Sequence, residues 1–302
     1  MLSQSILLPV YGGMEGKMKI QKVAMVGAGT MGNQIAMQVA ISGYQVNCYS
    51  RKSETIEKAK AYSDSWFEKA VSKEKMTKEQ AEQAKARLEF TSDLKKAVTG
   101  VDLVIEAVAD VLQIKRDILK QIDEYTPEHT VYASNSSYIV SSKFADVVKH
   151  PERVLNVHFF NPALVMKLVE VVQGPHVSDE VVDIIFDFSK SINKIPVLIT
   201  KEIYGFIVNR IFSAITKEAC YLLDQGVASV EDIDAAVKNG LGHPMGPLEL
   251  LDMTGIDLEY DVLMERYQMT GDLSDKPSPA IVERYAKKEY GRKSKKGFYD
   301  YN

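Results

Sequence analysis

Gly27-Ala28-Gly29-Thr30-Met31-Gly32 stands between an apolar run, residues 19–26, and a segment, residues 30–42, whose Met31, Ile35, Met37 and Val39 form an apolar face. The order predicts a strand, a glycine turn and a helix. In such a turn Gly27 permits the sharp bend, Gly29 lets backbone come close to a pyrophosphate, and Gly32 lets the helix pack against the strand. Thr30 and Met31 open the helix, where free N–H groups and the positive dipole end attract phosphate. Gly43 then ends the helix and residues 46–49 read as a second short strand, which completes a βαβ unit. The reading is a dinucleotide-binding fold.

The end of the second strand bears on which dinucleotide. A carboxylate about twenty residues past the glycine turn holds the ribose hydroxyls in the usual fingerprint. Here Ser50-Arg51-Lys52 puts a hydroxyl and two cations in its place. That set suits a 2′-phosphate better than a free hydroxyl, so NADP is expected at least as much as NAD. The plainer alternative is that Arg51 and Lys52 only solvate the start of a helix.

The alternation continues. Residues 54–87 form a long charged helical region interrupted near Met76-Thr77, and residues 101–107 are a near-continuous apolar run of the buried parallel type. Further strands are expected at 130–133, 154–159, 168–172 and 196–199, with helices at 112–124, 142–148 and 178–191. From Gly205 onward the pattern is helical: 206–223, 230–239, a Gly/Pro bend at 242–247, 256–267 and 279–289. The expected fold class is α/β. A Rossmann-type, doubly wound, mostly parallel sheet domain at 19–201 precedes an all-α C-terminal domain at 202–302, with a poorly ordered leader at 1–18.

Composition narrows the function classes. A net charge of −4 and a pI near 5.8 provide no positive field for a phosphate polymer, so nucleic acid is not an expected partner. Cys48 and Cys220 lie in apolar stretches and read as reduced core thiols rather than a disulfide or a metal site. The absence of a run of roughly twenty apolar residues argues against a membrane span. No Lys or Arg precedes Lys17, which argues against a secretion signal and a mitochondrial presequence, and a cytoplasmic location is expected.

Polar residues gather where strands should end. Asn135-Ser136-Ser137 follows one strand, His158 lies in Val157-His158-Phe159-Phe160-Asn161-Pro162, and Glu170 lies in Leu168-Val169-Glu170-Val171-Val172. Ligands of open α/β sheets bind beyond these carboxyl ends. A histidine exchanges protons near neutrality, which suits interconversion of an alcohol and a ketone. A carboxylate among valines is costly to bury without a partner, and His158 is the obvious one. The alternative is a satisfied core histidine and an exposed Glu170 on an edge strand. His129, His150, His176 and His243 read as surface or structural residues.

Together, GAGTMG, Asp-Leu-Val-Ile-Glu-Ala (102–107), Ala-Ser-Asn-Ser-Ser (133–137), His-Phe-Phe-Asn-Pro (158–162), Met-Lys-Leu-Val-Glu-Val (166–171), Gly-Phe-Ile-Val-Asn-Arg (205–210) and His-Pro-Met-Gly-Pro-Leu-Glu-Leu (243–250) resemble the L-3-hydroxyacyl-CoA dehydrogenases, most of all the short bacterial 3-hydroxybutyryl-CoA members. The resemblance runs from about residue 19 to Tyr299. It implies that His158 is the general base toward the C3 hydroxyl, that Glu170 orients it, and that Ser137 and Asn209 hydrogen-bond the reacting oxygen. It implies cofactor contacts from Gly27, Gly29, Gly32, Lys115 and Asp110, the last replacing a glutamate, alongside Thr30, Met31, Ser50, Arg51 and Asn135. On the coenzyme A side Lys73 matches a family lysine, while the paired serine position carries Trp66. Tyr138 and Tyr204 stand where the family usually has Ser and often Pro, flanking the expected substrate site and bearing on acyl-chain choice. The resemblance further implies a homodimer through the second domain. Two other readings stay open on this fold: a dehydrogenase of a free hydroxy acid or sugar acid, and a non-catalytic nucleotide-binding or structural relative.

Overall fold

The computed structural model describes residues 18–302, so the expected leader lies, apart from Met18, outside the described residues. Met18 itself packs against the core. The chain divides into two compact units, the first ending at Phe206 and the second formed by Ile207–Asn302.

The first unit is built on an eight-stranded sheet: β1 (Lys22–Val26), β2 (Gln45–Tyr49), β3 (Leu88–Thr91), β4 (Leu103–Glu106), β5 (Val131–Ser134), β6 (Val154–Phe159), β7 (Leu168–Val172) and β8 (Ile195–Ile199), in the order β3-β2-β1-β4-β5-β6-β7-β8. Every neighbouring pair is parallel except β6 with β7. Strand order reverses between β1 and β4, which opens the crevice where doubly wound sheets take their ligands. The helices are α1 (Thr30–Ile41), α2 (Ser53–Ser72), α3 (Lys78–Ala86), α4 (Leu94–Val98), α5 (Leu112–Asp123) and α6 (Asp179–Ser191).

Alternation along β1 explains the two apolar layers. Val23 and Met25 point into one core with Ile35 and Val39 of α1 and Ile185 and Phe188 of α6. Ala24 and Val26 point the other way, toward Leu119 and Ile122 of α5 and Phe144. A strand covered on both faces has no polar side, hence its continuous apolar run. Cys48 and Cys220 are buried and free. No helix among the described residues is long and apolar enough to cross a membrane.

Three local readings are corrected. The interruption near Thr77 is a full break between α2 and α3: Thr77 Oγ1 accepts from the Gln80 N–H at 3.1 Å, and the Gln80 side chain accepts from the Thr77 N–H at 2.8 Å. The strand β3 and helix α4 were hidden inside charged sequence, Leu88 and Phe90 being the only large apolar residues of an edge strand. In place of a helix at 142–148 there are 3₁₀ turns at Ser141–Lys143 and Ala145–Val147. Phe144, Ala145 and Val148 reach the core from either geometry, so their spacing does not separate the two.

The second unit holds α7 (Val208–Asp224), α8 (Val230–Leu241), α9 (Pro247–Thr254), α10 (Ile256–Thr270) and α11 (Pro279–Ala286) around Cys220, Ile233, Leu248, Leu251, Ile256, Ile281 and Phe298. Helix α9, absent from the sequence expectation, starts at Pro247 on the Gly/Pro bend. Its first N–H groups are capped from a distance: Asp234 accepts from Leu248 and Glu249, each at 2.9 Å. Asp252 likewise accepts the N–H groups of Phe298 and Tyr299 and so fastens the C-terminal residues.

Glu259 of α10 is the exception to this pairing. Burial pushes its carboxyl up to about 7, against a hydrogen bond from Thr216 Oγ1. The native state therefore binds more protons than the unfolded chain between about pH 4.5 and pH 7, and stability declines as pH rises through that window. Glu259→Gln is expected to raise the melting temperature at pH 8 and leave it nearly unchanged at pH 4.5, a difference on the order of 2 kcal/mol. Thermal melts of both proteins at the two pH values measure it; an equal shift at both would show that ionisation of Glu259 is not the cause.

Candidate active site

The glycine turn is shaped for close approach by a ligand. Gly27 has φ +110°, and a Cβ there would stand 2.6 Å from the Ala107 carbonyl oxygen on the far side of the crevice. A Cβ on Gly32 would fall 1.8 Å from the Gly27 oxygen, inside the helix–strand junction. At Gly29 the same atom would meet nothing within 4 Å, so that glycine faces open space. Gly29 is also the N-cap of α1, with no side chain capping it and no acidic residue in the first turn, so the N–H groups beginning at Thr30 and Met31 are offered outward. A pyrophosphate fits this cradle.

Ser50 ends β2 and its N–H is held by the Thr91 oxygen of β3 at 3.2 Å. Arg51 and Lys52 are exposed, and Lys52 is the N-cap of α2 without a side-chain cap. Two cations and a helix N-terminus thus meet at the edge of the crevice. Further along α2, Lys73 is an exposed C-cap, whereas Trp66 packs edge-on against Phe67 at 5.5 Å within the apolar cluster under α1.

The chemistry-bearing side chains meet at the carboxyl end of β5 and on β6 and β7. In the β6–β7 register His158 lies directly opposite Glu170. Their side chains are 6% and 1% exposed, and His158 Nδ1 stands 2.9 Å from Glu170 Oε2. The sheet continues through β8, so Glu170 is on an interior strand and the alternative of an exposed edge residue does not hold. On its other nitrogen, His158 Nε2 is 3.1 Å from Ser137 Oγ. The rings of Phe160 (4.6 Å between centroids, edge-on) and Phe206 (5.6 Å) close around the imidazole. The carboxylate therefore fixes the ring orientation and favours a proton on Nδ1, while Nε2 is the nitrogen turned to the hydroxyl. Asn135 Oδ1 accepts from the Phe159 N–H at 2.8 Å and ties the end of β5 to β6. Tyr138 and Tyr204 stack at 4.8 Å beside this group. Asn209 lies in the first turn of α7, in the second unit.

Two expected cofactor residues are placed differently from one another. Asp110 is partly exposed, while the Lys115 side chain is 1% exposed, with its ammonium 3.1 Å from both oxygens of Glu106 and 3.3 Å from Asp110. Lys115 thus lies beneath the crevice. Its partner Glu106 was not singled out from the sequence, although the signal was present: a carboxylate closing the apolar run Leu103–Glu106 needs a partner as much as Glu170 does. Among the other histidines, His129 and His150 pair with Asp102 and Glu152 at the surface and His176 meets the Val154 oxygen, all structural contacts.

A phosphate cradle at the switch point of a doubly wound sheet, with a histidine–carboxylate pair at the strand ends, defines an oxidoreductase of the nicotinamide-dependent class. Residues 22–203 match the family description "3-hydroxyacyl-CoA dehydrogenase, NAD binding domain", and residues 205–301 match "3-hydroxyacyl-CoA dehydrogenase, C-terminal domain". The chain is 39% identical to the 3-hydroxybutyryl-CoA dehydrogenase of Clostridioides difficile over 93% of its own length and 99% of the relative's. It is 35% identical to the mitochondrial hydroxyacyl-coenzyme A dehydrogenase of Homo sapiens, over 94% and 92%. Among solved structures it resembles the (S)-3-hydroxybutyryl-CoA dehydrogenase of Ralstonia eutropha, with a TM-score of 0.88 at 37% identity, covering 94% of this chain and all of that one. The chain belongs to the 3-hydroxyacyl-CoA dehydrogenase family.

Proposed function

We propose that the protein interconverts short (S)-3-hydroxyacyl-CoA and 3-ketoacyl-CoA thioesters, in the first place 3-hydroxybutyryl-CoA and acetoacetyl-CoA, with His158 as general acid and base. The observation that carries this reading is the line Ser137 Oγ, His158 Nε2, His158 Nδ1, Glu170 Oε2, each neighbouring pair of residues within hydrogen-bond distance. The nicotinamide cofactor, when bound, supplies or accepts the hydride at C3. In reduction the imidazolium gives its Nε2 proton to the forming alkoxide oxygen and is left neutral; in oxidation neutral Nε2 takes that proton back. Glu170 balances the charge of the protonated ring, and Ser137 and Asn209 donate hydrogen bonds to the reacting oxygen. Comparing turnover of acetoacetyl-CoA with that of free acetoacetate tests the substrate class. A clear preference for the thioester is expected; equal rates would favour a free hydroxy acid dehydrogenase.

For the cofactor, Gly27, Gly29 and Gly32 with the Thr30 and Met31 backbone take the pyrophosphate, Asp110 and Asn135 border the crevice, and Ser50 with Arg51 takes a 2′-phosphate. NADPH is therefore the preferred reductant. Arg51→Ala is expected to weaken NADPH roughly tenfold, the worth of one charge-assisted contact, and to change NADH by less than about twofold. Initial rates with the two cofactors decide it, and an equal loss for both would remove Arg51 from phosphate recognition. On the thioester, Lys73 is assigned to the coenzyme A phosphates. The second unit presents exposed Ile211, Tyr221 and Leu258, which supports a homodimer through this unit that light scattering tests. Two free buried thiols fit a reducing cytoplasm.

A further inference from the structure

The largest buried polar cluster of the first unit lies next to the histidine pair but is not part of the proton path. Glu106, 1% exposed, ends β4 at the switch point, opposite Val26 of β1. Its Oε1 accepts from the Val108 N–H at 2.6 Å, its Oε2 from Ser134 Oγ at 2.7 Å, and both from Lys115. The Lys115 ammonium also reaches Asp110, whose Oδ1 accepts from Ser136 Oγ at 2.5 Å. Ser136 Oγ in turn accepts from the Ile139 N–H at 2.9 Å. One buried charge pair thereby touches three segments: the Ala107–Val108 backbone against which Gly27 turns, the Asp110 loop before α5, and the loop after β5 that carries Ser137.

Burying Glu106 and Lys115 is expensive, and an apolar pair of similar volume serves packing as well or better. What an apolar pair does not supply is direction. Two carboxylate oxygens and an ammonium fix, within hydrogen-bond tolerance, where Val108, Asp110 and Ser134 stand relative to one another. We infer that Glu106 and Lys115 are a positioning pair that sets the far wall of the cofactor crevice and, through Asp110 and Ser136, the placement of Ser137 beside His158. Lys115 then serves the dinucleotide by holding Asp110 rather than by reaching the ligand itself. Only the turnover arm of the test rests on the proposed reaction; the cofactor arm does not.

Three variants test the pair: Glu106→Gln, the double variant Glu106→Met/Lys115→Met, and Ser136→Ala, which leaves every buried charge paired. Binding of NADH and NADPH is followed by nicotinamide fluorescence, acetoacetyl-CoA reduction by steady-state rates, and folding by thermal melts. Glu106→Gln is expected to weaken cofactor binding and lower kcat at least tenfold each, with KM for the thioester within about threefold. The double variant melts near the wild-type temperature yet binds and turns over as poorly, because packing is restored and direction is not. Ser136→Ala is expected to keep its affinity for cofactor and to lose kcat at least tenfold; it decides the matter if a charge variant does not fold. A double variant with wild-type melting, affinity and rate would reduce the pair to a stability role, as would Ser136→Ala within twofold of wild-type kcat. Weakened cofactor binding in Glu106→Gln, beside a wild type inert toward acetoacetyl-CoA, would uphold the pair and overturn the substrate instead.

Discussion

His158→Ala is expected to bind cofactor with unchanged affinity and to lose turnover by about three orders of magnitude, the upper part of what a positioned acid or base contributes. The reason is the division of labour between the two ring nitrogens. Nδ1 faces Glu170 on the neighbouring strand, and Nε2 faces Ser137 and the reacting oxygen. Removing the ring removes the proton carrier but leaves the glycine turn, four strands away in the sheet, as it was. It also strips the imidazole from a carboxylate that is 1% exposed, which lowers stability as well. His158→Asn separates the two effects. An asparagine amide stands about where Nδ1 does and still donates to Glu170, so this variant should melt closer to wild type while losing turnover as fully as alanine does. Steady-state rates, cofactor titration by fluorescence and thermal melts on both variants suffice. An asparagine variant that keeps more than about a tenth of wild-type kcat would mean that proton transfer does not pass through Nε2.

Glu170→Gln is expected to lower kcat about 100-fold with KM for the thioester within about threefold. The amide is almost the same size, and the β6–β7 ladder holds position 170 opposite His158 whatever the side chain, so the change acts on charge and tautomer rather than on place. A carboxylate accepts from Nδ1–H and leaves Nε2 ready to take a proton; an amide can also donate to Nδ1, which puts the proton on Nε2 and disables it as a base. The loss should be larger for oxidation of the hydroxyacyl substrate than for reduction, because the charged imidazolium no longer has an anion beside it. Rates in both directions measure this. Equal rates of wild type and variant would assign Glu170 to strand pairing alone.

The two carboxylates of the first unit were read unequally for a physical reason. Glu170 stood out because a histidine lay within reach in the sequence and one chemistry joined them. Glu106 closes a strand in the same apolar company, yet its partner Lys115 lies in the charged, amphipathic sequence of α5, where a lysine reads as solvent-exposed. Nothing local distinguishes a lysine turned under the sheet from one turned outward. The missed strand β3 has the same origin: an edge strand buries little, so few of its residues need be apolar.

What the sequence determined by itself is whatever depends on neighbours along the chain: the strand, glycine turn and helix at residues 22–41, the alternation of strands and helices up to β8, the helical second part, and the identity of the proton carrier. These follow from local sterics and from the periodicity of burial, which a chain displays without being folded. Only the tertiary structure decided that β6 and β7 run antiparallel, so that residues twelve apart face each other across one ladder, and that β7 is interior, so that Glu170 is buried. It also decided that Lys115 turns inward to Glu106 and that Ser137 reaches Nε2. Each of these is a choice of register or of partner, set by packing energy summed over the whole sheet rather than by any residue that takes part in it.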